Sequence, residues 1–184
     1  MHLIILDRDG VINEDSESYI KSPSEWIPIA GSLEAIARLN HAGYHVAVLT
    51  NQSGIARGLY DLDTLMRIHD KMHHAAAAVG GSIDAVLFCP HGPDEGCSCR
   101  KPKPGLFQEL GARLHIPLTE VPAVGDSMRD LEAAQSAGAR PILVRTGKGR
   151  ETEAALEPGH GIAVYDDLAA ATDALLKGAS APRS

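Results

Sequence analysis

Residues 3–10 read LIILDRDG: four apolar side chains in a row, then a stop at two carboxylates. Successive side chains on a strand point to opposite faces, so a strand apolar at every position must be covered on both faces. That is how strands look in a parallel sheet held between layers of helix. The rest of the chain repeats the arrangement. Short apolar runs at 45–49, 83–88, 121–124, 141–144 and 162–164 read as further strands. Helical spacing fills the gaps. A helix is predicted over 32–42, closed by Gly43, and a long one over 62–79, capped by Asp61 or Asp63. Pro104 opens another to about residue 115, in the first turn where proline is favoured. The last two cover 127–137, closed by Gly138, and 166–176, capped by Asp166 or Asp167. The expected fold is α/β, a doubly wound parallel sheet, Rossmann-like, forming one domain over 1–178. Residues 179–184 read as a flexible tail.

The composition narrows the function classes. The chain has 184 residues, enough for one sizeable core and short for two domains. Aromatics are only 4%, so the core must be built from Leu, Ile, Val and Ala. A formal charge of −7 argues against a nucleic-acid partner, which needs a clustered basic surface. No apolar run approaches the ~20 residues of a membrane span. Residues 1–7 lack the basic region and cleavage site of a signal peptide. The protein is expected in the cytoplasm, as a monomer with no membrane partner, and with reduced thiols.

In parallel sheets, ligands bind at the carboxyl ends of the strands. After the first strand come Asp7, Arg8, Asp9 and Gly10; after the second, Thr50, Asn51, Gln52, Ser53 and Gly54. After the third comes a loop ending in Arg100, Lys101 and Lys103, and after the fourth Gly125, Asp126, Ser127, Met128, Arg129 and Asp130. Each has a bland reading. The acids could be solvated, the polar run a turn, Asp126 or Ser127 a helix cap, and Lys-Pro-Lys-Pro a surface connector. Together they put carboxylates, a hydroxyl, an amide and cations on one rim. That set suits phosphoryl transfer. A carboxylate can attack phosphorus, and Mg²⁺ held by Asp7 and Asp126 would offset the repulsion between the two anions. Asp9 is spaced to hand a proton to the leaving oxygen and later take one from water. Thr50, Asn51 and a lysine can bind the non-bridging oxygens.

The segments LDRDG, LTNQSGIARG, CRKPKPG and VGDSMRD resemble, in order, the four motifs of the haloacid-dehalogenase-like phosphatases. The ordered set spans residues 7–130. The resemblance implies Asp7 as nucleophile, Asp9 as general acid/base, and Mg²⁺ held by Asp7, Asp126 and the Asp9 backbone carbonyl. It implies Thr50 and one lysine at the phosphate; Lys101 fits the pattern best and Lys103 is close. No large insertion separates the motifs, so no separate cap domain is expected.

The stretch 89–105, CPHGPDEGCSCRKPKPG, holds all three cysteines of the chain. Cys89, His91, Cys97 and Cys99 make a Cys₃His set, as in a closed structural zinc site. Free thiols or a Cys97–Cys99 disulfide are the weaker alternatives, the latter with one intervening residue. A zinc there would stiffen the loop that ends at Arg100 and Lys101. The zinc loop is similar to that of the branch containing the D-glycero-D-manno-heptose 1,7-bisphosphate 7-phosphatases and the histidinol-phosphatases. TNQSGIARG and CRKPKPG look like the heptose enzymes; histidinol-phosphatases more often carry aspartate where this chain has Ser53. The expected substrate is a phosphorylated sugar. The resemblance makes Asp15, Tyr19, Thr50, Asn51, Gln52, Ser53, Arg100 and Lys101 its contacts. Arg57 and Arg100 are the cations expected for a second phosphate. Two departures stand out: the 15–19 stretch is one residue longer than the heptose pattern, and Ser127 stands where a lysine is usual.

Other readings remain open on residues alone. A phosphoreceiver signalling module also uses an acidic cluster, a Thr and a Lys on a doubly wound sheet, but needs no zinc loop. A zinc-dependent interaction module would not need the complete acid set. His73 and His74 are adjacent on a helix and do not face each other, so they read as a solvated face. Residues 145–149, RTGKG, read as a flexible turn or an anion-binding loop.

Overall fold

The computed structural model describes residues 2–179; the last five residues of the expected tail lie outside them. Six parallel strands form one sheet: β1 (His2–Leu6), β2 (Tyr44–Asn51), β3 (Ala85–Cys89), β4 (Pro122–Gly125), β5 (Arg140–Val144) and β6 (Ala163–Tyr165). Their order across the sheet is β3-β2-β1-β4-β5-β6. The chain therefore winds outward from β1 to β3, returns to the other side of β1, and winds outward again. The reversal lies between β1 and β4, where Leu6 pairs with Val124. Strands diverge into oppositely directed connections there, leaving a crevice at their carboxyl ends.

Helices cover both faces, as the unbroken apolar strands require. Ile4 and Leu6 point into one core with Val46, Val48, Val124 and Ile142, sealed by α1 (Ser32–His41), α2 (Leu62–Ala78), α6 (Leu168–Ala179) and the buried Trp26. Leu3 and Ile5 point the other way, against Leu49, Leu87 and Ala123, under α3 (Gly105–Leu114) and α4 (Met128–Ser136). Helix α2 buries Leu65, Ile68, Met72 and Ala76 at helical spacing. Asp61, not Asp63, caps it by accepting the Thr64 amide at 2.8 Å. Asp167 does the same for α6 through the Ala170 amide.

The differences from expectation are local. Pro104 sits just outside α3 and Gly105 begins it. Ile83 and Asp84 precede β3, yet Asp84 stays tied to β2 by exchanging bonds with Val46 through its amide and carboxylate. Helix α5 (Gly149–Ala155) follows the 145–149 segment, in a stretch for which no element was expected. Only Gly149 and Thr152 of its residues are buried, so it had no apolar stripe to announce it. Among the described residues, only a 3₁₀ turn, Pro23–Glu25, lies between β1 and α1. No strand or helix lies between β3 and α3. No folded cap covers the strand ends, and no described helix is long and apolar enough to cross a membrane.

Candidate active site

The carboxyl ends of the strands open on a cleft of about 400 Å³. Asp7 leaves β1 with its amide bonded to the Val124 carbonyl at 2.9 Å, beside the start of the β4 loop. The carboxylates of Asp7, Asp126 and Asp130 consequently lie within 4.8 Å of one another. Burial and the Asp130 charge push the Asp7 pKa up to about 7, although Lys101 pulls it down. Burial and the Asp7 charge push Asp126 up to about 8. Hard oxygen donors in a partly buried, self-repelling cluster fit Mg²⁺, which takes one or two carboxylates and fills the rest of its shell with water and phosphate oxygen.

Lys101 is 3% exposed, and its ammonium meets Asp7 at 2.9 Å and Asp130 at 2.7 Å. It also donates to the Leu49 carbonyl at 2.7 Å. Burial opposes its charge, but Asp130 and Asp7 hold its pKa above the ordinary lysine value. Lys103 faces away and donates to the Cys97 carbonyl. Of the two lysines of RKPK, Lys101 is the one packed against the carboxylates. Asp130 was not singled out from sequence, although it is the last letter of GDSMRD. It accepts from the Ser127 amide and hydroxyl at 3.0 and 2.7 Å. That bond ties the start of α4 to the lysine and spends Ser127 on Asp130.

Asp9 is bracketed by donors. Its Oδ1 accepts from Arg8 Nε and Asn13 Nδ2, both at 2.9 Å; its Oδ2 accepts from Gln52 Nε2 at 3.0 Å and Arg8 Nη2 at 3.1 Å. Arg8 is fully buried, and its other terminal nitrogen lies 3.2 Å from His69 Nε2. Burial and the Arg8 charge press the His69 pKa down to about 3, so this histidine stays neutral.

The cleft is lined by all the residues expected at the substrate: Asp15, Tyr19, Thr50, Asn51, Gln52, Ser53, Arg57, Arg100 and Lys101. Several of them bond to the protein, Asn51 and Gln52 as well as Lys101 and Arg100. The Asn51 amide pairs reciprocally with the Lys101 backbone at 3.0 Å. Gln52 donates to Asp9 and to Thr50. Arg57 lies over the Tyr19 ring at 5.8 Å. The cleft also takes in Arg129, from the run after the fourth strand, and Lys148, neither of which was expected as a substrate contact. Lys148 arrives on the 145–149 loop. Its amide donates to Asp126 Oδ2 at 2.8 Å, its ammonium lies 3.6 Å from Asp15, and Thr146 Oγ1 donates to the Gly10 carbonyl at 2.6 Å. The RTGKG segment is thus a wall of the site.

The cysteine loop gathers its four expected ligands. The sulfurs of Cys89 and Cys97 are 3.7 Å apart and those of Cys89 and Cys99 3.1 Å, and His91 Nδ1 is 3.5 Å from Cys89 and 3.3 Å from Cys99. Zn–S bonds of about 2.3 Å in a tetrahedron separate sulfurs by about 3.8 Å. The donor set and its spacing fit a closed zinc site, and the three thiols are free of disulfides. Arg100 Nη1 donates to the His91 carbonyl at 3.3 Å, which joins the loop to the cleft.

Two family models match the chain: "polynucleotide kinase 3 phosphatase" over residues 2–134 and "HAD-hydrolase-like" over 98–171. A D-glycero-beta-D-manno-heptose-1,7-bisphosphate 7-phosphatase from Bordetella bronchiseptica is 56% identical over 96% of this chain and 99% of its own. The Pseudomonas aeruginosa enzyme of the same name is 53% identical over 95% and 98%. The chain belongs to the heptose-bisphosphate phosphatase family of haloacid-dehalogenase-like hydrolases. A crystal structure of the B. bronchiseptica D,D-heptose 1,7-bisphosphate phosphatase, complexed with magnesium and phosphate, superposes with a TM-score of 0.94 over 97% of this chain and 99% of that one. The Burkholderia thailandensis enzyme, 49% identical, gives 0.76 over 96% and 99%. This phosphatase is a phosphoric monoester hydrolase with the haloacid-dehalogenase fold.

Proposed function

We propose that the phosphatase removes the 7-phosphate of D-glycero-β-D-manno-heptose 1,7-bisphosphate and leaves the 1-phosphate in place. The observation that carries this is the Asp7 carboxylate at the strand reversal, beside Asp126 and Lys101, in a chain that matches relatives of that name along nearly all its length. Asp7 attacks the phosphorus and becomes an aspartyl-phosphate. Asp9 gives its proton to the departing sugar oxygen, then takes one from the water that attacks Asp7-bound phosphorus. Thr50 donates its hydroxyl to a non-bridging oxygen. Lys101 neutralises and orients Asp7. Mg²⁺, held by Asp7, Asp126 and the Asp9 carbonyl, would supply charge for the phosphoryl oxygens. Zn²⁺, held by Cys89, His91, Cys97 and Cys99, would fix the loop without touching substrate.

With no cap domain, the remaining phosphate lies at the rim. Arg100 and Arg57 line it, joined by Arg129 and Lys148. These cations favour a second phosphate and repel the amine of histidinol phosphate. Residues 1–178 act as one domain, in the cytoplasm, as a monomer. Phosphate release from a substrate panel tests the assignment. The heptose bisphosphate should show a far higher kcat/KM than histidinol phosphate, and Arg100→Ala should cut kcat/KM for the bisphosphate more than for a small monophosphate. Equal or better turnover of histidinol phosphate overturns the substrate and leaves the chemistry standing.

A further inference from the structure

Tyr60 stands two residues past the LTNQSGIARG motif, and no step above uses it. Its hydroxyl is buried and donates to Gln52 Oε1 at 2.6 Å. The other end of that amide, Nε2, donates both to Asp9 Oδ2 and to Thr50 Oγ1, each at 3.0 Å. An amide is nearly symmetric in shape but not in polarity, so its orientation is set by its partners. A phenol hydrogen aimed at one end leaves only the oxygen there. The nitrogen must then face Asp9 and Thr50. Burial pushes the Tyr60 pKa up to about 12, so the hydroxyl keeps that hydrogen at working pH.

We propose that Tyr60 is a positioning residue for catalysis: through Gln52 it orients the Asp9 carboxylate and engages a lone pair of the Thr50 hydroxyl, whose hydrogen stays free for the phosphoryl group. Gly54 is part of the device. A Cβ there would lie 2.2 Å from the Tyr60 ring, so only glycine lets the ring reach Gln52. Without the Tyr60 hydroxyl, Gln52 Oε1 has lost its donor in a buried setting and the amide is no longer anchored at that end. It can then tilt and shift, and its hold on the Asp9 carboxylate and the Thr50 hydroxyl loosens. This inference rests on Asp9 as the acid that protonates the leaving group.

Two esters separate that role from a structural one. An alkyl phosphate monoester leaves as a basic alkoxide and needs the Asp9 proton; p-nitrophenolate leaves without it. Tyr60→Phe keeps the ring and removes only the hydroxyl. We expect kcat/KM for the alkyl ester to fall about tenfold, the scale of one lost buried hydrogen bond, with a clearly smaller fall for p-nitrophenyl phosphate. Gln52→Met, which keeps the volume and removes the amide, should reproduce the change in the ratio of the two esters. Adding Tyr60→Phe to Gln52→Met should change nothing further. Equal losses on both esters, a ratio untouched by Gln52→Met, or an undiminished Tyr60→Phe effect in the Gln52→Met background would each overturn the proposal. Asp9→Asn serves as the reference. If it spares alkyl-ester turnover, the acid/base assignment falls together with this inference. If it abolishes turnover while Tyr60→Phe matches wild type, the inference alone falls.

Discussion

Lys101 carries its charge inside the protein, and its three hydrogens meet Leu49 O, Asp7 and Asp130. The net carboxylate excess around it is what a divalent cation would relieve. Asp7 rises to about 7 and Asp126 to about 8 without one. Protons and Mg²⁺ therefore compete for the same oxygens: above both values the ligands are anionic and binding is tightest, and below them each must lose a proton first. With two protons to displace, the Mg²⁺ concentration for half-maximal activity should begin to rise below about pH 8 and climb by up to about a hundredfold per pH unit below about pH 7. A requirement constant from about pH 5.5 to 8 would contradict this. Asp7→Asn should abolish turnover while leaving the circular dichroism unchanged. It removes one charge from a crowded cluster, and the uncharged amide cannot attack phosphorus. Normal turnover by protein free of wild type would end the aspartyl-phosphate mechanism.

Two loops act as elements. The cysteine loop has no helix or strand between Pro90 and Pro104, and the proposed zinc would hold it together beside a few hydrogen bonds of its own. Purified protein never exposed to chelator should carry about one zinc per chain, and Cys99→Ser should lose it. The same change should lower the thermal midpoint and the activity together, because Arg100 and Lys101 follow directly. Zinc at trace level in wild type would refute the site. The second loop, 145–149, is pressed against Asp126. At Gly147 φ is +55°, and a Cβ would lie 2.1 Å from Asp126 Oδ2 and 2.6 Å from Gly10 Cα. Gly147→Ala should destabilise by about 1–3 kcal/mol and raise the Mg²⁺ requirement. Gly58 also has positive φ but nothing within 4 Å. There alanine should cost only about 1 kcal/mol and leave Mg²⁺ dependence alone. Equal behaviour in a denaturant and Mg²⁺ titration of both variants would show that crowding at Asp126 is immaterial.

The whole molecule is organised around β1, which is paired on both sides and packed on both faces. Asp7, the proposed nucleophile, hangs from its end, so the most constrained strand holds the residue whose position the proposed chemistry depends on most. Amide hydrogen exchange should be slowest in Ile4, Ile5 and Leu6, opening only with global unfolding, and fast in the short edge strand β6. Protection of β6 equal to that of β1 would contradict this hierarchy. Against the formal charge of −7, the uncapped cleft suits a small anionic substrate because its cations are local: Arg57, Arg100, Arg129 and Lys148 all line one rim.

Much was legible along the chain because it is local. LIIL must be buried on both faces, Cys89, His91, Cys97 and Cys99 fall within eleven residues, and Asp7 and Asp9 follow one strand end. Spacing alone limits what such groups can do. Three things were decided only by the packed structure. The sheet order sets Asp126 beside Asp7 although the chain between them is long. The choice of Lys101 over Lys103 depends on which side chain is buried against Asp130. The Tyr60–Gln52–Asp9 chain joins β1 to the loop after β2. Each pairs groups whose local sequence is indifferent to the partner. Such pairing is settled by the summed burial of two apolar cores and by the need to satisfy every polar group they enclose, which no short window of sequence contains.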